Sequence, residues 1–170
     1  MAFSVENFKG GQMSDGWQRP HSFEVYLDGP GNRITSQRAE SVSVPGLSWY
    51  SVDNYRPNGN GKTYSIPYAY NASPITMTFL VDEKDEVIQS FYDWGKMIVE
   101  MDGKFSAKYY RDYAGRGEIY FYNQKGGMEK TVTIEELYPT SVDQAQLSWA
   151  DTDTLLRLTV SFAYTHYRVS

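Results

Sequence analysis

Hydrophobic and polar positions alternate most regularly near the end of the chain. Between Thr154 and Val169, Leu156, Leu158, Val160, Phe162 and Tyr164 fall on one face, and Arg157, Thr159, Ser161, Ala163 and Thr165 on the other. A period of two is that of an extended strand. Extended without a break, the segment would reach ~50 Å, far beyond a usual strand. It is therefore expected either to form a long arm or to be divided by a bend or bulge. Its second face is small, polar and nearly uncharged. Such a face can look into water while the strand edges pair with other strands. The apolar positions Leu158, Val160 and Phe162 are the candidate core.

Other segments follow the same period. Phe23 to Leu27 predicts a first strand, closed by the turn sequence DGPGN. Ala39 to Leu47 predicts a second, with Val42 and Val44 on one face and Pro45-Gly46 bending or ending it. Ile75 to Val81 places Ile75, Met77, Phe79 and Val81 together. Phe105 to Tyr110 and Glu118 to Asn123 read as strands flanking a turn-rich connection, RDYAGRG. Lys130 to Leu137 carries the β-branched run TVTI, with Tyr138-Pro139 expected to break it, and Ser141 to Trp149 is a weaker strand candidate.

One segment changes period. Val87, Phe91, Trp94, Ile98 and Met101 are spaced by 4, 3, 4 and 3 residues, the stripe of an amphipathic helix. Asp82 is placed as its N-cap and Gly103 as its end. Val87, Phe91, Trp94 and Ile98 are expected in the core.

Two stretches show no period. Residues 1–22 read as an N-terminal arm or loop. Residues 50–74 hold three prolines and many tyrosines and read as one long loop, of a length that is usually functional. The expected fold is mainly β (α+β): one domain over residues 1–170, a sandwich or barrel with one flanking α-helix.

Composition narrows the function. The 170 residues include 16 Lys plus Arg and 21 Asp plus Glu, for a formal charge of −5, which argues against a general nucleic-acid binder. The absence of cysteine excludes disulfides, zinc-thiolate sites and cysteine nucleophiles. No segment reaches the ~20 apolar residues of a membrane span, and the first residues have no signal-peptide pattern. A soluble, unexported chain is expected. Fifteen Tyr against 8 Phe favour sheets and wet interfaces.

The sites that would carry catalysis fail on spacing. Gly61-Lys62-Thr63 resembles the end of a phosphate-binding loop, but Arg56 stands where the first glycine is required and no helix follows. Gly29-Pro-Gly31 lacks the third glycine of a dinucleotide fingerprint. His21 and His166 are in no metal-ligand spacing, and Asp151-Thr-Asp153 lacks the rest of a calcium loop. No Gly-x-Ser-x-Gly elbow is present. The aromatic and basic residues of YYRDY could stack on single-stranded bases, but no basic footprint accompanies them. No catalytic residue, metal or cofactor is expected.

An ordered set of short stretches resembles the tail tube proteins of contractile-tailed, T4-like bacteriophages. The set is Ser43-Val44-Pro45-Gly46, Tyr55-Arg56, Thr78-Phe79-Leu80-Val81-Asp82, Phe91 with Trp94, YYRDY from Tyr109, Tyr138-Pro139, Leu147-Ser148-Trp149-Ala150-Asp151, and Val160-Ser161-Phe162-Ala163-Tyr164. The resemblance implies a structural virion protein. Six copies would form a ring whose strands join in one inter-subunit β-barrel, and rings would stack into the tube of the virion tail. Its implied partners are copies of itself, the tail sheath protein, baseplate proteins that start the tube, the tape-measure protein in the lumen and viral DNA in transit, with assembly in the host cytoplasm. Under it, Thr159, Ser161, Ala163 and Thr165 are lumen-facing candidates. Tyr55, Arg56, Lys62, Tyr64, Tyr68 and Tyr70 are candidates for contacts between rings, and deleting Asn58 to Lys62 is expected to leave rings but impair stacking. Six copies at −5 give −30 per ring. A tube of a related contractile or type VI secretion system, or a monomeric β-sandwich binding module, are the alternatives.

Overall fold

The alternating segments assemble into antiparallel sheet around one core. The computed structural model describes residues 18–30, 32–34, 39–54, 64–84, 86–100, 106–143 and 154–170. Ten strands are described: β1 (Phe23–Gly29), β2 (Asn32–Ile34), β3 (Ala39–Val42), β4 (Ser48–Asn54), β5 (Tyr64–Asn71), β6 (Ile75–Leu80), β7 (Gly115–Tyr122), β8 (Met128–Val142), β9 (Arg157–Ala163) and β10 (His166–Val169). Two helices join them, α1 (Glu86–Ile98) and α2 (Tyr110–Tyr113).

The main sheet runs β2-β1-β7-β8-β9-β6-β3, with β10 also on β8. β8 organises it. Its first part pairs with β7 and β10, and its last part, from Tyr138 onward, pairs with β9. The change of partners occurs at Glu136, whose φ of 56° is the one positive value on a described non-glycine residue. The buried positions on β8 shift there from Val132 and Ile134 to Leu137 and Pro139. An inserted residue of this kind bends a strand and returns its side chains to the original face. β8 thus leaves one half of the sheet, β2-β1-β7-β8-β10, and enters the other, β8-β9-β6-β3.

The terminal alternating segment is divided at the same corner. β9 and β10 lie along one side of β8, and one register spans the break between them, Ala163 opposite Tyr138 and His166 opposite Glu135. Tyr164-Thr165 interrupts them opposite the Glu136 bulge. The buried parity shifts with it: Leu158, Val160, Phe162 and Tyr164 are buried, whereas beyond the break Tyr167 packs on the core. The bend was one of the two expected solutions.

The core unites Val25, Leu27, Ile75, Met77, Phe79, Ile119, Val132, Ile134, Leu158, Val160 and Phe162 from the strands with Val87, Phe91 and Trp94 of α1. Ile98 packs half-buried against it. Phe91 meets Phe79 and Phe162 with centroids 5.2 and 5.9 Å apart. The Trp94 indole N–H donates to the Tyr113 carbonyl at 2.8 Å, tying α1 to α2.

Several expectations fail, each for a physical reason. The long loop of residues 50–74 is instead largely an antiparallel hairpin, β4 with β5, from Ser48↔Asn71 to Asn54↔Tyr64. Pro67 sits within β5, beside a register shift and in a two-stranded ribbon, where one side of each strand needs no donor. Tyr64, Tyr68 and Tyr70 are therefore strand residues. Pro139 likewise does not end β8, because among the described residues that part of the strand has only β9 beside it. The strand expected from Phe105 to Tyr110 is reduced to a bridge between Ala107 and Val99, and Tyr110 opens α2. α1 begins at Glu86, so Asp82 is too far upstream to cap it. The three-residue β2 is too short to show an alternating pattern. Residues 1–17, Gly31, Met101, Gly103 and the stretch Gln144 to Asp153 lie outside the described residues.

Candidate assembly surfaces

The half-sheet β8-β9-β6-β3 has two unlike faces. One is core. The other presents hydroxyls in register: Thr78 opposite Thr159, Thr76 opposite Ser161, Ser41 opposite Thr78, and Ser141 opposite Ser161. The Thr78 and Thr159 hydroxyl oxygens lie 3.4 Å apart. The Thr140 hydroxyl donates to the Ser161 carbonyl at 3.1 Å. The lumen candidates Thr159, Ser161 and Ala163 lie on this face and are half-buried in the single chain. Thr165 does not share the strand: it stands at the break, its hydroxyl 3.0 Å from that of Tyr110.

At one end of this face Arg157 grips Glu40 bidentately, Nε and one terminal nitrogen donating at 2.6 and 2.9 Å. That bond holds the Glu40 carboxyl below its usual pKa and raises that of Arg157, so the pair stays charged and mutually neutralised. At the other end Tyr110, Tyr113 and Tyr138 meet edge to face, with centroids 5.4 to 5.8 Å apart. Burial raises the Tyr110 pKa. On the neighbouring half-sheet, Glu135 takes His166 at 2.5 Å and Arg168 at 3.6 Å. This corner was not foreseen. Tyr138 lies 25 residues or more from Tyr113 and Tyr110 in the chain, and only the β8 bend brings it to α2.

Both edges of the half-sheet are open among the described residues. β3 ends the strand order, and β8 beyond Tyr138 pairs on one side only. A groove of about 540 Å³ runs beside β3, lined by Pro20, His21 and Phe23 with residues 39–42.

The β4–β5 hairpin belongs to neither half-sheet. It leaves Trp49 60%, Val52 54% and Tyr68 69% exposed, with Tyr50, Ile66 and Tyr70 also exposed. Val52 faces Ile66 and Trp49 faces Tyr70 across the ribbon. Tyr50 and Tyr68 stack at 6.4 Å. A two-stranded ribbon this apolar is marginal alone in water. Exposed apolar side chains clustered in this way are the usual mark of an interaction surface. Of the inter-ring candidates, Tyr64, Tyr68 and Tyr70 lie on this hairpin, while Tyr55, Arg56 and Lys62 fall outside the described residues.

No group of metal-ligating residues occurs among the described residues, and no helix is long and apolar enough to cross a membrane.

The fold recurs in contractile machines. A chain of the anti-feeding prophage baseplate is 15% identical, with 93% of this chain and 97% of that one covered and a TM-score of 0.68. A chain of the sheath-tube complex of an extracellular contractile injection system, PVC, in its extended state is 16% identical, covers 99% of both chains and has a TM-score of 0.62. Hcp1 from Flavobacterium johnsoniae is 12% identical over 86% of this chain and 94% of its own, with a TM-score of 0.50. At these identities the likeness is one of fold. No curated protein matches the sequence. The family of phage tail tube proteins matches residues 21–170, which include every strand and helix described above. The chain therefore belongs to the phage tail tube protein family.

Proposed function

We propose that this tail tube protein is the ring subunit of the inner tube of a contractile phage tail, with no catalytic role. Six copies close a ring through the open edges of β3 and β8, so that their hydroxyl faces line one channel. The observation that carries this reading is the half-sheet β8-β9-β6-β3, with core on one face, hydroxyls on the other and an unpaired edge on each side. An open edge left alone invites uncontrolled pairing, and pairing it with the next subunit removes the hazard. The groove beside β3 leaves room for that strand. The apolar β4–β5 hairpin then serves contacts between rings. In the virion the tube sits within the sheath on the baseplate, holds the tape-measure protein during assembly in the host cytoplasm, and passes DNA on ejection.

Negative-stain microscopy of the purified protein tests this. Hollow rings or stacked tubes are expected. A monodisperse monomer at high concentration would overturn the proposal.

A further inference from the structure

The β4–β5 hairpin is joined to the rest of the chain by two short connections. Below them Ser43 is tied to Thr76: its N–H donates to the Thr76 carbonyl at 2.9 Å, and its hydroxyl accepts from the Thr76 N–H at 2.6 Å. Above them the first ribbon pair is Ser48 opposite Asn71. Residues 44–47 and 72–74, between these points, belong to no strand. They form a hinge, and no ladder bond sets its angle.

Tyr70 stands next to this hinge, opposite Trp49, and is exposed. Its hydroxyl neighbours that of Tyr164 on the fixed side. Tyr164 is only 7% exposed, and its ring packs edge-on against Tyr167 with centroids 6.1 Å apart. The residue after it is held as well. The Thr165 N–H donates to the Glu135 carbonyl at 3.3 Å, and the Thr165 hydroxyl lies 3.0 Å from that of Tyr110. Yet the Tyr164 hydroxyl has no hydrogen-bond partner among the described residues. Burial raises its pKa and the nearby Tyr70 adds to the rise, but the two hydroxyls are outside hydrogen-bond geometry. A buried hydroxyl left unpaired destabilises a fold, so phenylalanine would serve the single chain at least as well.

We infer that Tyr164 is a positioning residue for the hairpin, its hydroxyl held for a bond to Tyr70 that closes when the next ring presses the ribbon home. The inference rests on the reading of the hairpin as an inter-ring contact. In the free subunit the ribbon turns on its hinge. In the tube the Tyr164 O–H donates to the Tyr70 hydroxyl oxygen and locks the ribbon at one angle. The bond lies at the base, so a small shift there aims a ribbon ~20 Å long. A bond made only in the stacked state favours that state by its full strength.

Tyr164→Phe and Tyr70→Phe test this. In urea at neutral pH, Tyr164→Phe should unfold at the parental midpoint or above it. In sedimentation, its rings should need about fivefold more protein to stack, the factor expected of one ordinary hydrogen bond. Tyr70→Phe, on the exposed ribbon, should match it, and the double variant should be no worse than either alone. Hydrogen exchange at residues 44–47 and 72–74 should slow on stacking in the parent, and slow less in both variants. A lowered urea midpoint for Tyr164→Phe would mean that the hydroxyl already serves the free subunit. Parental stacking by either variant, or losses that add in the double variant, would mean that no such bond closes. Each of these overturns the inference and leaves the inter-ring role of the hairpin standing. Parental rings that never stack would overturn that role, and the inference with it.

Discussion

At the scale of single residues, the helix stripe was legible and its surroundings were not. Period 3.6 marked Val87, Phe91 and Trp94, and all three are buried. Nothing in the sequence announced that Gly29 and Gly115 exist to receive Trp94. A Cβ at Gly29 would stand 2.8 Å from the indole, and one at Gly115 would stand 2.4 Å from the Asp28 carbonyl oxygen. Those contacts join residues far apart in the chain, and periodicity sees only neighbours. Tyr164 shows the same limit. Alternation placed it on the core face, but not its hydroxyl. Burial is the main cause that raises the pKa of this hydroxyl above its ordinary value of 10.0, with Tyr70 and Tyr167 alongside. A group whose pKa is raised by folding contributes stability that is complete below the unfolded pKa and is lost as pH climbs past it. Tyr164→Phe cannot ionise. Its urea midpoint should therefore fall less than that of the parent as pH rises above about 10, when both are followed by circular dichroism.

At the scale of elements, strands with clean alternation were read well and those containing proline were not. Ile75 to Val81 became β6, and Phe23 to Leu27 became β1, each within two residues. β5 and the end of β8 were missed because proline normally marks a break. Here both prolines lie in strands with an unpaired side, and sequence alone does not show which strands are edges. The β4–β5 hairpin carries its own prediction. Val52→Glu with Ile66→Lys replaces an apolar cross-strand pair by an oppositely charged one, which keeps the ribbon paired. Because both side chains are exposed, the stability of the single chain should change by no more than ~0.5 kcal/mol. Sedimentation of the doubly substituted protein should show rings that fail to stack. Tubes of parental length would remove the hairpin from the inter-ring contact.

For the molecule as a whole, fold class and family were within reach of the sequence, since many weak signals agreed in order. The corner at Glu136 was not, because no glycine marks its positive φ. The edges it creates yield one more expectation. The Ser43 N–H turns inward to the Thr76 carbonyl at 2.9 Å, so alternation turns that of Val42 outward to the free edge of β3. Val42→Pro removes that outward donor and spares the inward bonds. Size-exclusion chromatography should then find a folded protein unable to close rings, and rings formed as before would exclude β3 from the seam. The corner has a further consequence in time. Both halves of the sheet need β9 or β10, and these follow every other described strand in the chain. The β7–β8 hairpin can form early, since its strands are near neighbours, but β6 must wait for β9 across some eighty residues. While a subunit is still emerging from the ribosome, it therefore has no finished wall to offer. An incomplete chain lacks the half-sheet whose edges the proposed ring uses.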